Sequence, residues 1–359
     1  MKVVGTGGGA GLPHILRGVR SVASRWTGVV AVTDDGRSTK VAREIWDVPA
    51  PGDFRNAICE LAVYNRWLAQ IFQQRLELEG NVLDGMALGN QVLAMAGHLN
   101  NGMMGEVMAA FNDLFLPPNE RLWPATLANI HICAKTADGA YYEGELDVRK
   151  ADKPRIVEFG LTRAAGLYRE AKDAIDEADL VFIGPGSLFS SQLPFFYLNG
   201  SIEALQRCPG IVGVIMNSTT QPGQTIALNP DGSTYHFSVY DHLKFIVDKA
   251  GKGIIDFVLV DESPLSEEIW KRLDEAGRRY LIVGAEEEVR IELELGIRVF
   301  RMGITEVNGA IRKFWNKEDA IVYHDPDSVT RALLEIHEML SNERRLAVTI
   351  PRGGSLVTA

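Results

Sequence analysis

Short runs of aliphatic and β-branched residues recur along the chain, and they constrain its fold more than any other feature of the sequence. Each run is nearly free of polar residues and is closed by glycine or by a polar residue. Such runs are typical of strands that are buried on both faces of a mainly parallel sheet. The runs are VV at 3–4, GVVAV at 28–32, DLVFI at 179–183, GIVGVIM at 210–216 and DFVLV at 256–260.

Segments with helical spacing lie between several of these runs, for example at 12–22 and 202–207. Strand and helix therefore alternate, as they do when helices cover both faces of a parallel sheet. We predict an α/β fold with a Rossmann-like, doubly wound, mainly parallel sheet. A single domain is expected to span residues 1–342, because the sequence contains neither an internal repeat nor an obvious linker.

Several segments modify this pattern. Residues 57–127 are rich in Leu, Ala and Met with helical spacing, which predicts a helical insertion. Residues 128–147 alternate apolar and polar side chains around Ala137-Asp138-Gly139, which predicts a β-hairpin. A C-terminal α/β portion is expected from about residue 261, with a strand at 280–284 and an amphipathic helix at 328–340. Residues 343–359 are expected to form a flexible tail.

Charge and cysteine content exclude several classes of partner. The 359 residues carry 37 Lys and Arg against 47 Asp and Glu, a net charge of −10, so neither nucleic acid nor an anionic membrane surface is an expected partner. No apolar run approaches the roughly 20 residues of a membrane span. The three cysteines form no CxxC pair and suit reduced thiols. We therefore expect a cytoplasmic protein.

The first predicted strand runs into a glycine-rich loop, GTGGGAG at 5–11, which is followed by a predicted helix. Glycine lets the backbone turn tightly and approach a phosphate, while the N–H groups of the loop and of the helix N-terminus face the anion. A tight turn without a ligand is the alternative. A Walker phosphate loop is excluded, because no Gly-Lys-Ser/Thr follows. The candidate phosphate-binding residues are Gly7, Gly8, Gly9, Ala10 and Gly11.

The same loop fits the dinucleotide pattern G-x-G-x-x-A, and Asp34 lies near the position of a ribose-binding acid, so a nicotinamide-dependent dehydrogenase is one alternative function. Asp34 and Asp35 follow the second predicted strand, at the edge where open α/β sheets bind ligands. Such a pair can hold Mg²⁺ or hydrogen-bond the hydroxyls of a ribose or a sugar. The alternative is a solvated Asp-Asp-Gly turn.

A helix is expected to begin at PGDFRN, residues 51–56, with Asp53 as its N-cap. Arg55 and Asn56 then lie in its first turn, where an arginine can hold a phosphate by two-point contact. The strand GIVGVIM ends in polar residues that include Asn217 and Thr220, and these suit hydrogen bonding to a base or a sugar.

A second glycine loop follows the strand DLVFI and opens a segment rich in hydroxyl groups. The chain thus carries two candidate anion-binding loops on parallel strands. The candidate residues of this second loop are Gly184, Pro185, Gly186 and Ser187.

The ordered motifs of the chain are GTGGGAG at 5–11, TDDG at 33–36, PGDFRN at 51–56, LGN at 88–90, PAT at 124–126, GE at 144–145, GPGSL at 184–188, TQPG at 220–223 and HDP at 324–326. Together they resemble the CofD-like superfamily, and within it the YvcK group, also called gluconeogenesis factor. The resemblance spans nearly the whole chain. It implies a modified Rossmann-like fold with the ligand at the carboxyl edge of the sheet.

The resemblance also implies roles for individual residues. Both glycine loops would hold a nucleotide diphosphate, and Asn90 of the LGN motif would belong to the same site. Asp34, Asp35 and Asp53 would lie near the metal or sugar end, which makes them the candidates for any catalytic role. Asp34 and Asp35 are the candidate ligands of Mg²⁺, and no organic cofactor is implied.

Two functions are known in the superfamily. One is transfer of a 2-phospho-L-lactyl group from a nucleotide-linked donor to the deazaflavin Fo. The other, in the YvcK group, is binding of UDP-sugars by a factor needed for cell shape and for growth on gluconeogenic carbon sources. The resemblance favours the UDP-sugar-binding factor, with the transferase as the alternative. A homodimer is expected, because two-fold oligomers are common.

The chain departs from the family pattern at several polar positions. Arg37, Thr39 and Lys40 stand where the family often has small residues, Gly85-Met86-Ala87 replaces Gly-His-Ser, and Gln224 replaces a glutamate. The changes at 86, 87 and 224 remove groups that could transfer protons, which favours ligand binding over catalysis.

Overall fold

A parallel sheet of seven strands forms the centre of the computed structural model, which describes residues 1–81, 83–305 and 322–349. Numbered along the chain, the strands of the described residues are β1 (Lys2–Gly7), β2 (Arg25–Val30), β3 (Glu120–Pro124), β4 (Ile132–Thr136), β5 (Tyr141–Glu143), β6 (Ile156–Leu161), β7 (Leu180–Ile183), β8 (Ile211–Ile215), β9 (Ile226–Leu228), β10 (Thr234–His236), β11 (Phe257–Asp261) and β12 (Arg298–Met302).

Helices connect these strands and cover the sheet. They are α1 (Gly11–Val19), α2 (Arg37–Trp46), α3 (Pro51–Leu61), α4 (Arg66–Gln73), α5 (Leu88–Leu99), α6 (Met104–Phe115), α7 (Glu145–Val148), α8 (Arg169–Asp176), α9 (Leu193–Phe196), α10 (Ser201–Arg207), α11 (Val239–Ala250), α12 (Glu267–Glu275), α13 (Ala285–Arg290) and α14 (Pro326–Thr349). Two π-helical turns lie at Leu188–Gln192 and Ile291–Leu295. Among the described helices, none has the length and apolar composition needed to cross a membrane.

The order of strands in the central sheet is β12-β11-β8-β7-β1-β2-β3, and every neighbouring pair is parallel. The chain proceeds outward from β1 to β2 and β3, and then returns to place β7 on the other side of β1. The direction of winding therefore reverses between β1 and β7, and open α/β sheets bind their ligands at such a switch point. The predicted Rossmann-like, doubly wound sheet is confirmed.

Burial on both faces explains why the strands appear in the sequence as continuous apolar runs. On β1, Val3 packs into the core on the side of α1, α3 and α14, whereas Val4 packs into the core on the side of α8, α10 and α11. Residues of β7 alternate in the same way, with Leu180 on the first side and Val181 on the second. Successive side chains of a strand point to opposite faces, so both must be apolar here.

Gly5 is required by this packing and not by a ligand. It lies within β1, and a Cβ atom built on it would stand 2.3 Å from the ring of Phe182 and 2.7 Å from a methyl group of Leu12. Any side chain at this position would displace the core between the sheet and α1. The first glycine of the G-x-G-x-x-A pattern thus has a structural explanation.

The predicted hairpin is confirmed as β4 and β5, and β6 joins them in a three-stranded antiparallel sheet. The strand predicted at 280–284 is wrong. Only Tyr280 forms a bridge, with Thr219, and the N–H of Leu281 donates to the carbonyl of Ser218 at 2.8 Å. This apolar segment packs against the loop that follows β8, and a buried apolar run has the same appearance in sequence whether or not it joins a ladder.

Two boundaries also differ from the prediction. β3 lies inside the segment predicted as a helical insertion, and its alternating burial at the sheet edge leaves no continuous apolar run in the sequence. The final helix α14 extends through Thr349 and so includes the start of the predicted tail, because no helix-breaking residue precedes Pro351. Residues 350–359 of that tail lie outside the described residues.

Candidate functional site

The two glycine loops meet above the switch point between β1 and β7. Because these strands are paired in register from Val3 and Leu180 onward, their loops leave the sheet side by side. A Cβ atom on Gly11 would lie 2.5 Å from the carbonyl oxygen of Pro185, and one on Gly186 would lie 3.8 Å from the nitrogen of Gly8. The loops therefore form one surface at the carboxyl edge of the sheet, as the sequence predicts.

We call the surface where the two loops meet, together with the neighbouring Ser191 and Asp53, the crevice. Two glycines of the first loop pack against it. A Cβ atom on Gly8 would stand 2.6 Å from the hydroxyl of Ser191, and one on Gly9 would stand 2.7 Å from the Cα atom of Asp53. Ala10 precedes α1 without capping it through its side chain, and no acidic residue lies in the first turn of α1. The N-terminal N–H groups of this helix are thus left without a side-chain acceptor, which suits an anion.

The second loop is held by amide side chains. Asn217 accepts from the N–H of Gly186 at 2.8 Å and donates to its carbonyl at 2.8 Å, while Gln192 donates to the same carbonyl at 2.7 Å. The N–H and the carbonyl of Gly186 are therefore already paired within the protein. Asn217, predicted to bind nucleotide, positions the loop, and Ser187 stands half-buried before the π-helical turn.

Asp53 lies in this crevice, but it does not cap α3. The helix begins at Pro51 with Ala50 as its N-cap, because proline is well suited to the first helical position. The N–H of Gly9 donates to the Asp53 carboxylate instead. Burial, together with the carboxylates of Asp34 and Glu145, raises the pKa of Asp53 well above its usual range.

Asp34 and Asp35 point to different neighbours, so they do not act as one pair. Asp34 accepts from the N–H of Gly36 at 2.9 Å and from the hydroxyl of Thr39, close to the start of α3 at Gly52. Asp35 is buried and accepts from the N–H of Leu146 at 2.9 Å. Asp34 thus belongs to the crevice, whereas Asp35 anchors the turn α7. Neither is the solvated turn residue of the alternative interpretation.

Glu145 is the site residue that the prediction omitted. It is the first residue of α7, its side chain is 12% exposed, and it forms an ion pair with Arg149 at 3.1 Å. Burial and the Asp34 carboxylate raise the pKa of Glu145 to about 7, while a hydrogen bond to Ser190 acts in the opposite direction. The GE motif at 144–145 was the available signal, but only the fold brings it beside Asp34.

The fit of this crevice to Mg²⁺ can be judged from its carboxylates. Among the described residues, no three His, Cys, Asp or Glu side chains are grouped so that they alone could hold a metal ion. Mg²⁺, however, commonly takes one or two carboxylates and completes its shell with water and substrate phosphates. The mutual repulsion of Asp34, Asp53 and Glu145 is consistent with such a partial site. The donor set therefore fits Mg²⁺ only together with a phosphate ligand.

Arg55 lies buried behind the carboxylates. It donates from Nε to the Oδ1 atom of Asn90 at 3.1 Å and from Nη1 to Gln73, and none of the described carboxylates forms an ion pair with it. Asn56 is occupied by the carbonyl of Gly9 and by Gln73. Arg55 and Asn90 thus form one polar network beside the site, while Asn56 fixes the first loop.

Thr220 is not brought to the crevice. It is fully buried, its hydroxyl accepts from the N–H of Arg279 at 2.9 Å, and it lies 3.2 Å from Nδ1 of His236. It connects the loop after β8 to the segment before Tyr280. A polar side chain after a strand gives the same sequence signal whether it points into the site or into the scaffold.

Two of the departures from the family pattern, Met86 and Gln224, serve packing and support. Met86 is buried in the core, and the Ser38 hydroxyl accepts from the Ala87 N–H at 3.0 Å and from Asn90 at 2.9 Å. Gln224 is buried and accepts from the N–H of Phe189 at 3.0 Å. Neither Met86 nor Gln224 is placed to transfer a proton.

The chain is similar to several known proteins over most of its length. The family model described as 2-phospho-L-lactate transferase CofD matches residues 3–303. A gluconeogenesis factor of Halalkalibacterium halodurans is 32% identical over 93% of this chain and 96% of its own length. A gluconeogenesis factor of Bacillus subtilis is 30% identical over 93% of this chain and 98% of its own length. A crystal structure of a UPF0052 family member from Bacillus halodurans superimposes with a TM-score of 0.79 at 30% identity, covering 93% of this chain and 99% of that one.

Proposed function

Because the chain belongs to the CofD family and to its gluconeogenesis-factor group, we propose that it is a cytoplasmic factor that binds a UDP-sugar and takes part in the regulation of cell shape and carbon metabolism. The observation that carries the proposal is the meeting of two glycine loops at the switch point of the sheet, beside the N-terminus of α1, which has no side-chain cap and no acidic residue in its first turn. Close approach of backbone to a diphosphate is the chemistry that such loops serve.

The charges around the first loop define how the diphosphate is held. The N-terminal N–H groups of α1 face the anion, and Arg55 supplies a buried cation nearby. The Asp53 carboxylate, however, already accepts the Gly9 N–H and would repel a phosphate. Binding therefore needs either a proton on Asp53 or a bridging cation. We propose Mg²⁺, held by Asp34 and by the diphosphate, and it would neutralise charge between the two.

Isothermal titration with UDP-N-acetylglucosamine, with and without Mg²⁺, tests this function. Gly9→Ala places a Cβ atom against the backbone of Asp53 at 2.7 Å, so we expect it to weaken binding at least about tenfold. Gly284→Ala is the matched control, because nothing lies within 4 Å of the added atom. Thermal unfolding confirms that both variants fold. Saturable binding that is unaffected by Gly9→Ala, or no binding by the wild type, would contradict the proposal.

The phospholactyl transferase is the second candidate, and the grouping of Asp34, Asp53 and Glu145 is the observation that favours it. In that reaction the carboxylates would hold Mg²⁺ against the diphosphate leaving group, and catalysis would rest on positioning and charge neutralisation. Incubation with Fo and a nucleotide-linked phospholactate separates the two candidates: we expect binding of UDP-sugar and no transfer. Formation of a phospholactyl-Fo product would make the protein an enzyme.

A further inference from the structure

Lys153 is a buried lysine whose ammonium group is surrounded by backbone carbonyls. The residue is 5% exposed, and its Nζ atom donates to the carbonyl of Val148, to that of Lys150 at 2.8 Å and to that of Gly223 at 2.5 Å. No described carboxylate pairs with it. A buried ammonium with three acceptors and no counter-ion is unusual in a core, because desolvation of the charge is costly.

The three carbonyls belong to two different segments of the site. Val148 is the last residue of the turn α7, which begins with Glu145, and Lys150 lies two residues after it. Gly223 belongs to the loop after β8, and its backbone is in direct contact with the end of α7. A Cβ atom on Gly223 would lie 2.0 Å from the carbonyl oxygen of Arg149, and its φ is +71°. The two segments thus approach as closely as glycine permits, and Lys153 bonds to both.

These contacts belong to a closed ring of residues that includes Glu145. The residue after Gly223 is Gln224, whose side chain accepts from the N–H of Phe189 and donates to the hydroxyl of Ser190 at 3.3 Å. Ser190 in turn hydrogen-bonds the side chain of Glu145. The ring is closed by α7, because α7 carries Glu145 and its end is bound by Lys153. Its members in order are Lys153, Gly223, Gln224, Ser190 and Glu145.

We propose that Lys153 is a positioning residue, whose ammonium group fastens the turn that carries Glu145 to the loop after β8 and thereby fixes the position of Glu145 in the crevice. The proposal rests on the function above in one respect, namely that the crevice binds a nucleotide diphosphate. The fastening itself is a property of the ligand-free protein.

The ionisation of Lys153 gives this role a pH dependence. Burial lowers the pKa of Lys153 to about 8, so the ammonium loses a proton, and with it one donor for the three carbonyls, in the weakly alkaline range. The ring of Tyr142, whose centroid is 5.8 Å from Nζ, faces the ammonium, and burial alone accounts for the shift of the pKa. The charged residues of the adjoining segment are Glu145 and Asp147 in α7 and Arg149 and Lys150 directly after it. Of these, Glu145 titrates near 7. Glu145 is unchanged in a Lys153 variant, so its titration is common to that variant and the wild type.

Hydrogen–deuterium exchange of the ligand-free protein tests the fastening directly. Lys153→Met removes the ammonium group, and Gly223→Ala pushes the same two segments apart without changing charge. Both should increase deuterium uptake in peptides covering 144–149 and 221–226, with β1 and β7 unchanged. Lys150→Met is the matched control, because Lys150 reaches only Asp147 through its side chain and is exposed. If neither variant folds, wild-type exchange measured above and below pH 8, corrected for intrinsic rates, provides the same test.

Titration with UDP-N-acetylglucosamine tests the functional consequence. Lys153→Met and Gly223→Ala should weaken binding about tenfold, in keeping with the loss of hydrogen bonds to a charged group, and Lys150→Met should not. Wild-type affinity should fall as the pH passes 8, whereas the affinity of Lys153→Met should show no such step. Unchanged exchange and affinity in a folded Lys153→Met variant would overturn the inference. Absence of binding by the wild type would refute the proposed function alone, because the exchange result does not depend on the ligand.

Discussion

Glu145 experiences three effects that disfavour its ionised form: burial, the neighbouring charge of Asp34 and, least, that of Asp35. Its carboxyl group is consequently a better proton acceptor in the folded protein than in the unfolded chain. The pKa of Asp53 is raised as well, and the Asp53 carboxylate accepts a hydrogen bond from the N–H of Gly9. In the ligand-free state the crevice therefore stores electrostatic repulsion. A cation or a proton would relieve it, so we expect ligand binding to depend on the charge of the site.

Glu145→Gln should remove this repulsion and stabilise the ligand-free protein at neutral and alkaline pH. The folded pKa of about 7 exceeds the ordinary value of 4.5, so the destabilising effect is absent below 4.5 and complete above 7. At about 1.4 kcal/mol per pH unit, the gain in free energy of unfolding should reach up to about 3 kcal/mol above pH 7. Urea denaturation of both proteins at several pH values measures it. Equal stability of the two proteins at every pH would show that Glu145 ionises normally.

At the scale of elements, the turn α7 shows how a four-residue helix is held in place. Asp35 accepts the N–H of Leu146 at its start, and Lys153 binds the carbonyls at its end. So short a helix cannot be stable by itself, because nucleation is costly. Its position is therefore set by Asp35, which lies 111 residues earlier in the chain, and by Lys153.

Replacing Asp35 distinguishes this anchoring role from the metal-binding role expected from the sequence. Asp35→Ala removes the acceptor of the Leu146 N–H and should lower the free energy of unfolding by about 1–2 kcal/mol. Asp35→Asn keeps an acceptor oxygen and should leave both stability and Mg²⁺-dependent UDP-sugar binding near wild type. The measurement is denaturant unfolding together with calorimetric titration. Loss of Mg²⁺ dependence in Asp35→Asn would instead make Asp35 a metal ligand.

At the scale of the whole molecule, the sequence predicts features that depend on local pattern. The apolar runs of the central strands, the hairpin around Asp138 and the two glycine loops all agree with the structure, because burial and turn chemistry act on neighbouring residues. Features that depend on distant contacts were missed. Glu145 enters the site only through α7, and Thr220 turns away from it towards Arg279. The edge strand β3 carries no continuous apolar run, so it went unrecognised.

Two buried groups give the protein opposing responses to acid. His324 follows an interval outside the described residues and connects the sheet edge to α14. It lies 3.2 Å from the hydroxyl of Ser218, and its carbonyl accepts a hydrogen bond from His14 at 2.7 Å. Burial lowers the pKa of His324 to about 4 from its ordinary 6.5. The unfolded chain then takes up the proton first, so His324 costs stability as the pH falls from 6.5 towards 4, whereas Glu145 adds stability as the pH falls from 7 to 4.5.

The effects of His324 and Glu145 on stability in acid have opposite signs and partly cancel in the wild type. Replacing one residue at a time should therefore reveal each effect. Replacing His324 with Gln removes the loss of stability that His324 causes in acid. The free energy of unfolding of this variant should therefore fall less between pH 6.5 and pH 4 than that of the wild type. Glu145→Gln removes the gain of stability that Glu145 provides in acid. The free energy of unfolding of this variant should fall more steeply than that of the wild type over the same interval, by up to about 1.4 kcal/mol per pH unit. His98, which is exposed, supplies the control His98→Gln, whose curve should follow the wild type. Parallel curves for all three variants and the wild type would mean that neither buried group has the environment described here.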